Sequence, residues 1–146
     1  MSLQEPDKKM SKSDDNPNAY IALLDPPDVI MKKFKRAVTD SEGLIVYDEA
    51  RPGVANLLSI YCSCTQTGME EAVASFEGKG YGALKSAVAE AVIATLEPLQ
   101  KRYYDVLEEK AHLNDAIKRG AEKARETASK TLRNVYEKVG FDSYRL

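Results

Sequence analysis

Two long stretches of this chain repeat apolar residues three and four positions apart. In residues 83 to 110 the set is Leu84, Val88, Ala91, Val92, Leu96, Leu99, Tyr103 and Leu107. From Leu113 to Val139 it is Ile117, Ala121, Ala124, Ala128, Leu132, Val135 and Val139. That period belongs to a helix with one apolar face. Two such helices in a chain of 146 residues commit it to a mainly α fold. Pro98 has no N–H and is expected to kink or divide the first helix. Gly120 costs a helix interior ~1 kcal/mol against Ala, so the second helix is expected to start either near Leu113 or after Gly120. Gly140 stands where a C-terminal cap belongs. The small residues of the second face favour close packing, and that face is expected to point inward.

Shorter helices precede these two. Asp25-Pro26-Pro27 breaks the chain and opens a helix, since Pro is tolerated in a first turn. Residues 28 to 38 then place Ile30, Phe34, Ala37 and Val38 on one face, with Lys32, Lys33, Lys35 and Arg36 elsewhere. Pro52 starts another helix, with Val54, Leu57, Leu58 and Tyr61 at helical spacing. Residues 69 to 76 form a third. The apolar run Ala19 to Leu24 reads either as a buried strand or as a first helical turn, because six residues do not separate the two. Thr39 to Gly53 is a connector holding a possible strand over Leu44 to Tyr47. The cluster Gly78, Gly80 and Gly82 lacks the Lys-Ser/Thr of a P-loop and follows no clear strand, so a turn between helices is expected. A core of real size is affordable at this length, but not two large domains.

The first 18 residues are polar and contain the pentamer Lys9-Met10-Ser11-Lys12-Ser13, followed by Asp14, Asp15, Asn16 and Pro17. Two ammonium groups and two hydroxyls on a loop suit a polyphosphate, since Lys is a compact charge with three donors. The plainer alternative is a solvated basic surface. Net charge is −2, so any nucleic-acid surface must be local. Cys62 and Cys64 have no second pair, and His112 is the one histidine, so a four-ligand zinc site cannot be built from them. Free thiols in a reducing cytoplasm are the expectation. There is neither an apolar run of membrane-spanning length nor an apolar signal core at the N-terminus, and a cytoplasmic location with no membrane partner is expected.

The pentamer resembles the KMSKS signature of class I aminoacyl-tRNA synthetases. Its surroundings, M-S-L-Q-E-P-D-K-K-M-S-K-S-D-D-N, resemble the approach to that loop in the bacterial tryptophanyl branch. So do K-K-F-K-R-A-V-T-D-S-E-G at 32–43, P-G-V-A-N-L-L-S-I at 52–60, F-E-G-K-G-Y-G at 76–82, L-Q-K-R-Y at 99–103 and R-G-A-E-K-A at 119–124. The resemblance runs from residue 1 to about 141. The family's H-I-G-H-type motif and amino-acid pocket have no counterpart here. The resemblance thus implies a C-terminal portion beginning at the signature loop, its partner being an N-terminal Rossmann half.

The implied fold is a helical bundle of anticodon-binding type, preceded by the tail end of a Rossmann α/β domain. Residues 1–25 would be the loop and the end of the catalytic domain, and residues 26–146 the helical tRNA-binding domain. The implied reaction is ATP-dependent activation of tryptophan and its transfer to tRNA(Trp), in an enzyme that is a homodimer. Lys9 and Lys12 would neutralise the departing pyrophosphate, with Lys12 the first choice for direct contact. Ser11 and Ser13 would add hydrogen bonds, Met10 would anchor the loop, and Mg²⁺ would travel with ATP. Asp14 and Asp15 either position the lysines or form a solvated turn. Residues 111–146 carry eight basic residues, Lys118, Arg119, Lys123, Arg125, Lys130, Arg133, Lys138 and Arg145, against five acids. That excess agrees with phosphate contact and also with an ordinary helix surface. Tyr103 and Tyr104 beside Lys101 and Arg102 read first as core packing and second as a base-stacking platform. His112 is expected at a helix junction without a catalytic role. Two other readings stand beside the ligase: a non-catalytic helical RNA-binding module, and a helical protein-interaction domain.

Overall fold

The computed structural model describes residues 1–141. Five helices run in chain order: α1 Pro27–Lys35, α2 Pro52–Thr65, α3 Met69–Ser75, α4 Tyr81–Glu108 and α5 Lys110–Val139. Among the described residues no strand is assigned, so the chain is mainly α. It divides into two compact units, residues 1–101 and 102–146.

The first unit holds the core. Ile30 and Phe34 of α1, Val54, Leu57 and Leu58 of α2, and Leu84 and Val88 of α4 are all buried in one cluster with Leu3 and Phe76. Side chains of this size each contribute about 1.5–3 kcal/mol when removed from water. Tyr61 meets Phe76 edge to face, with ring centroids 5.2 Å apart, closing the cluster toward α3.

Helix boundaries follow from what the backbone groups bond to. The helix expected over 28–38 stops at Lys35, with Arg36 as its cap residue. The Val38 N–H is taken by the Leu3 carbonyl at 2.8 Å, which diverts the chain. Val38 is exposed, whereas Ile30, Phe34 and Ala37 are buried as expected. Lys33, which the sequence pattern places off the apolar face, is nevertheless buried.

Residues 19–24 are neither strand nor helical turn. Their polar backbone groups are claimed one by one. Ala19 C=O accepts from Leu3 N–H, Tyr20 C=O from Lys33 Nζ and Leu23 C=O from Gln100 Nε2, while Ala22 N–H donates to the Asp25 carboxylate. The possible strand at Leu44–Tyr47 is also absent. Ile45 is buried between exposed Leu44 and Val46, as in a strand, but the Leu44 carbonyl accepts from Arg51 instead of a neighbouring strand.

Helix α4 is not divided at Pro98 but runs through it, and the chain breaks at Glu109 instead. Its buried residues lie in the first half, and Leu99, Tyr103 and Leu107 are exposed. Helix α5 passes through Gly120 and ends at Gly140, whose positive φ of 73° makes the expected cap. The face expected to point inward does not: α5 buries no residue, and Ile117, Leu132, Val135 and Val139 are exposed. Gly78 has φ 71°, fitting the turn expected before α4, while Gly82 lies in the first turn of that helix.

Candidate functional site

Residues Lys9 to Ser13 form a loop whose two ends are tied across a short stem. Ser2 N–H donates to Lys8 C=O at 2.8 Å, and Leu3 N–H donates to Ala19 C=O at 2.9 Å. Leu3 is itself a core residue, so the stem is fixed to the body by apolar burial as well as by hydrogen bonds.

Within the loop the polar side chains organise the backbone. Ser11 Oγ accepts from Ser13 N–H at 3.3 Å and lies 3.1 Å from Ser13 Oγ. Asp14 Oδ1 accepts from Asn16 N–H at 2.8 Å, and Asn16 Oδ1 accepts from Asn18 N–H at 3.0 Å. These are the local turns that Ser, Asp and Asn favour. Asp14 turns the chain and, among the described residues, makes no ion pair with Lys9 or Lys12, while Asp15 is exposed. Met10 is half-buried and packs against the core cluster. Lys9 and Lys12 are exposed, and among the described residues neither makes an ion pair or a side-chain hydrogen bond. Lys8 differs: it pairs with Glu5, and that hydrogen bond raises its pKa above the usual lysine value.

A second charged cluster escaped the sequence reading. Arg51 sits just before α2, with its side chain 10 % exposed, and donates to both Asp40 carboxylate oxygens at 2.9 Å. The same guanidinium donates to Leu44 C=O at 2.8 Å and to Tyr81 Oη at 2.6 Å, and the Tyr81 hydroxyl donates to Asp40. Arg51 and then Tyr81 hold the Asp40 carboxyl well below the usual carboxylate range. Burial, followed by the Asp40 carboxylate, pushes the Tyr81 hydroxyl up. Asp40 lies eleven residues before Arg51, and no local pattern announces a pair made across a turn.

Lys33 is also internally satisfied. It donates to Asp25 at 2.6 Å and to Tyr20 C=O at 3.0 Å, and lies 5.0 Å from the centre of the Tyr20 ring. An open groove of about 650 Å³ lies between Gly43–Val46 and the α3–α4 turn, and no loop residue lines it.

In the second unit Tyr103 and Tyr104 are 43 % and 54 % exposed and meet each other edge to face at 5.3 Å. The core-packing reading of this pair is therefore corrected, since each ring finds its aromatic contact in the other instead of in a core. His112 is exposed and lies in the first turn of α5. Of the basic residues noted in the tail, Arg119 pairs with Asp115 and Lys130 with Glu126, both one turn apart. Arg145 lies outside the described residues. Cys62 and Cys64 are free, half-buried thiols. Among the described residues no group of three His, Cys, Asp or Glu side chains is placed to hold a metal ion. None of the described helices is long and apolar enough to cross a membrane.

The family of class I tRNA synthetases for W and Y matches residues 1–97. With two thirds of its length matched, loop included, the chain belongs to that family of class I tRNA synthetases. Its similarity is to the tryptophan branch. The tryptophan–tRNA ligase of Clostridium acetobutylicum is 48 % identical over 141 residues, covering 97 % of this chain and 42 % of that protein. The Enterococcus faecalis tryptophan–tRNA ligase is 52 % identical, covering 96 % of this chain and 42 % of the relative. Among solved structures, tryptophanyl-tRNA synthetase from Mycoplasma pneumoniae matches with a TM-score of 0.69 at 33 % identity, over 98 % of this chain and 45 % of that one. The chain thus spans about two fifths of the length of the curated relatives it matches.

Proposed function

We propose that this chain supplies the phosphate-binding loop and the helical tRNA-binding part of a tryptophan–tRNA ligase. The observation that carries the reading is the state of Lys9 and Lys12: two exposed ammonium groups without an ion-pair partner among the described residues, on a loop tied at its base. A charge with no internal partner is available to a ligand. In adenylate formation, negative charge develops on pyrophosphate as it leaves the α-phosphate. Lys12, assisted by Lys9, neutralises that charge, while Ser11, Ser13 and nearby N–H groups donate hydrogen bonds. Met10 holds the loop to the core through its thioether side chain.

On this reading residues 1–25 act with the catalytic centre, and residues 26–146 form the tRNA-binding domain. The reaction needs ATP with Mg²⁺, tryptophan, tRNA(Trp) and an N-terminal Rossmann half, in a cytoplasmic enzyme that is a homodimer. Mg²⁺ arrives on the nucleotide and uses its phosphate oxygens, which suits a loop that offers cations instead of carboxylates. The basic residues of α5 left outside its internal ion pairs meet the phosphates of tRNA.

The test is tryptophan-dependent exchange between ATP and labelled pyrophosphate. We expect no exchange with the 146-residue chain alone and recovery when a Rossmann half is added. Strong exchange by the chain alone, or none after the half is supplied, overturns the proposal.

A further inference from the structure

The loop stem is not held by its own backbone bonds alone. Asn56, on the second turn of α2 and 8 % exposed, reaches fifty-odd residues back along the chain to the stem. Its Nδ2 donates to Met1 C=O at 3.2 Å and to Ser2 C=O at 3.4 Å, and its Oδ1 accepts from the Met1 nitrogen at 2.9 Å. Ser2 is the residue whose N–H ties Lys8, and Leu3 ties both Ala19 and Val38. One amide side chain thus sits behind the bonds that close both ends of the loop.

The same helix presses on the stem's other neighbour. At Gly53, one turn before Asn56, a Cβ would stand 2.4 Å from the Val38 carbonyl oxygen. The helix approaches Val38 at backbone distance there, and Val38 N–H is bonded to Leu3 C=O. Asn is the residue type this task requires. It offers donors and an acceptor from one short, buried amide, so it satisfies the Met1 and Ser2 carbonyls and the Met1 ammonium without burying a charge of its own.

We propose that Asn56 is a positioning residue for the Lys9–Ser13 loop. It fixes the stem to α2, so that the loop's freedom begins at Lys8 and ends at Ala19. The functional part of this inference rests on the phosphate reading of the loop; the clamp itself does not.

The experiment separates the two. Trypsin cleaves after lysine, and Lys8, Lys9 and Lys12 report on the loop while Lys85 in α4 reports on the body. Cleavage rates of the 146-residue chain are read site by site by mass spectrometry, with and without Mg·ATP. For Asn56→Ala we expect cleavage after Lys8, Lys9 and Lys12 to rise at least tenfold, with cleavage at Lys85 unchanged. Asn56→Leu keeps the volume but loses both the donor and the acceptor, and it should show the same local effect. Loop cleavage equal to wild type in both variants, or a rise of the same factor at Lys85, overturns the clamp. With a Rossmann half added, protection of the loop by Mg·ATP in wild type, lost in Lys12→Ala, tests the phosphate reading. Its failure would leave the clamp standing, because that result is read without nucleotide.

Discussion

The cations of the loop and the cations of the body are the same kinds of side chain in opposite circumstances. Arg51 and Lys33 are buried or nearly so, and each donates to a carboxylate and to a backbone carbonyl. Lys9 and Lys12 are exposed and, among the described residues, donate to nothing, while the backbone that carries them is held by a serine–serine contact, an Asx turn and a tied stem. On the proposed function, the difference separates charge used to hold a chain in place from charge kept ready for something outside it. Partnered cations cost stability when removed, because a desolvated carboxylate is left behind. Unpartnered cations, on the proposed function, should cost activity when removed and leave the fold alone.

Substitutions test that division. In the complete ligase, Lys12→Ala should lower the adenylation rate by about 10²–10³, the scale of losing one preorganised charge-stabilising donor. Its melting temperature should match wild type within a degree, and pyrophosphate exchange with a melting curve checks both. Lys33→Ala should do the reverse. It strands Asp25 beside the carbonyl of Tyr20 and should cost about 3 kcal/mol in urea unfolding. Little change in stability there would mean that the buried pair is not structural.

Gly53→Ala should cost about 2 kcal/mol, because its Cβ would overlap a backbone oxygen and not a movable side chain. A smaller effect is expected from pH. Asp40 has its pKa depressed in the folded chain, so its contribution is complete above the unfolded value of about 3.9 and is lost as pH falls through the folded value. The Asp40→Asn variant should therefore be less stable than wild type at pH 7, with the gap closing below about pH 4. Smallest of all, Gly120→Ala meets nothing within 4 Å and should stabilise α5 by up to about 1 kcal/mol.

Most helix positions could be read from apolar spacing; Pro52 marks one start to the residue, and the break at Asp25-Pro26-Pro27 brings another within one residue. What could not be read was set by contacts distant in sequence. Periodicity places Val38 on a buried face, but Leu3 captures its N–H and ends the helix early. The runs at 19–24 and 44–47 have strand composition, yet side chains from α1, α4 and the Arg51 cluster take their backbone groups. Apolar spacing in α5 was read correctly as helix and incorrectly as burial, since a pattern reports a face and not what covers it. The loop was visible as five residues. Its stem, its Met10 contact and the Asn56 clamp were not, because each joins positions that no local window contains.

The tied stem also alters how a phosphate meets the loop. Lys12 is four residues from Lys8, so its backbone stays within about 14 Å of a fixed point however the loop moves. A tether that short gives its ammonium an effective concentration on the order of millimolar or more at any site over the stem. Closing a ten-residue loop is an entropic cost met once, when the chain folds, and not again at each encounter. If the loop takes phosphate as proposed, the lysines behave as a reagent already delivered, and a nucleotide seated there need not wait for them to arrive.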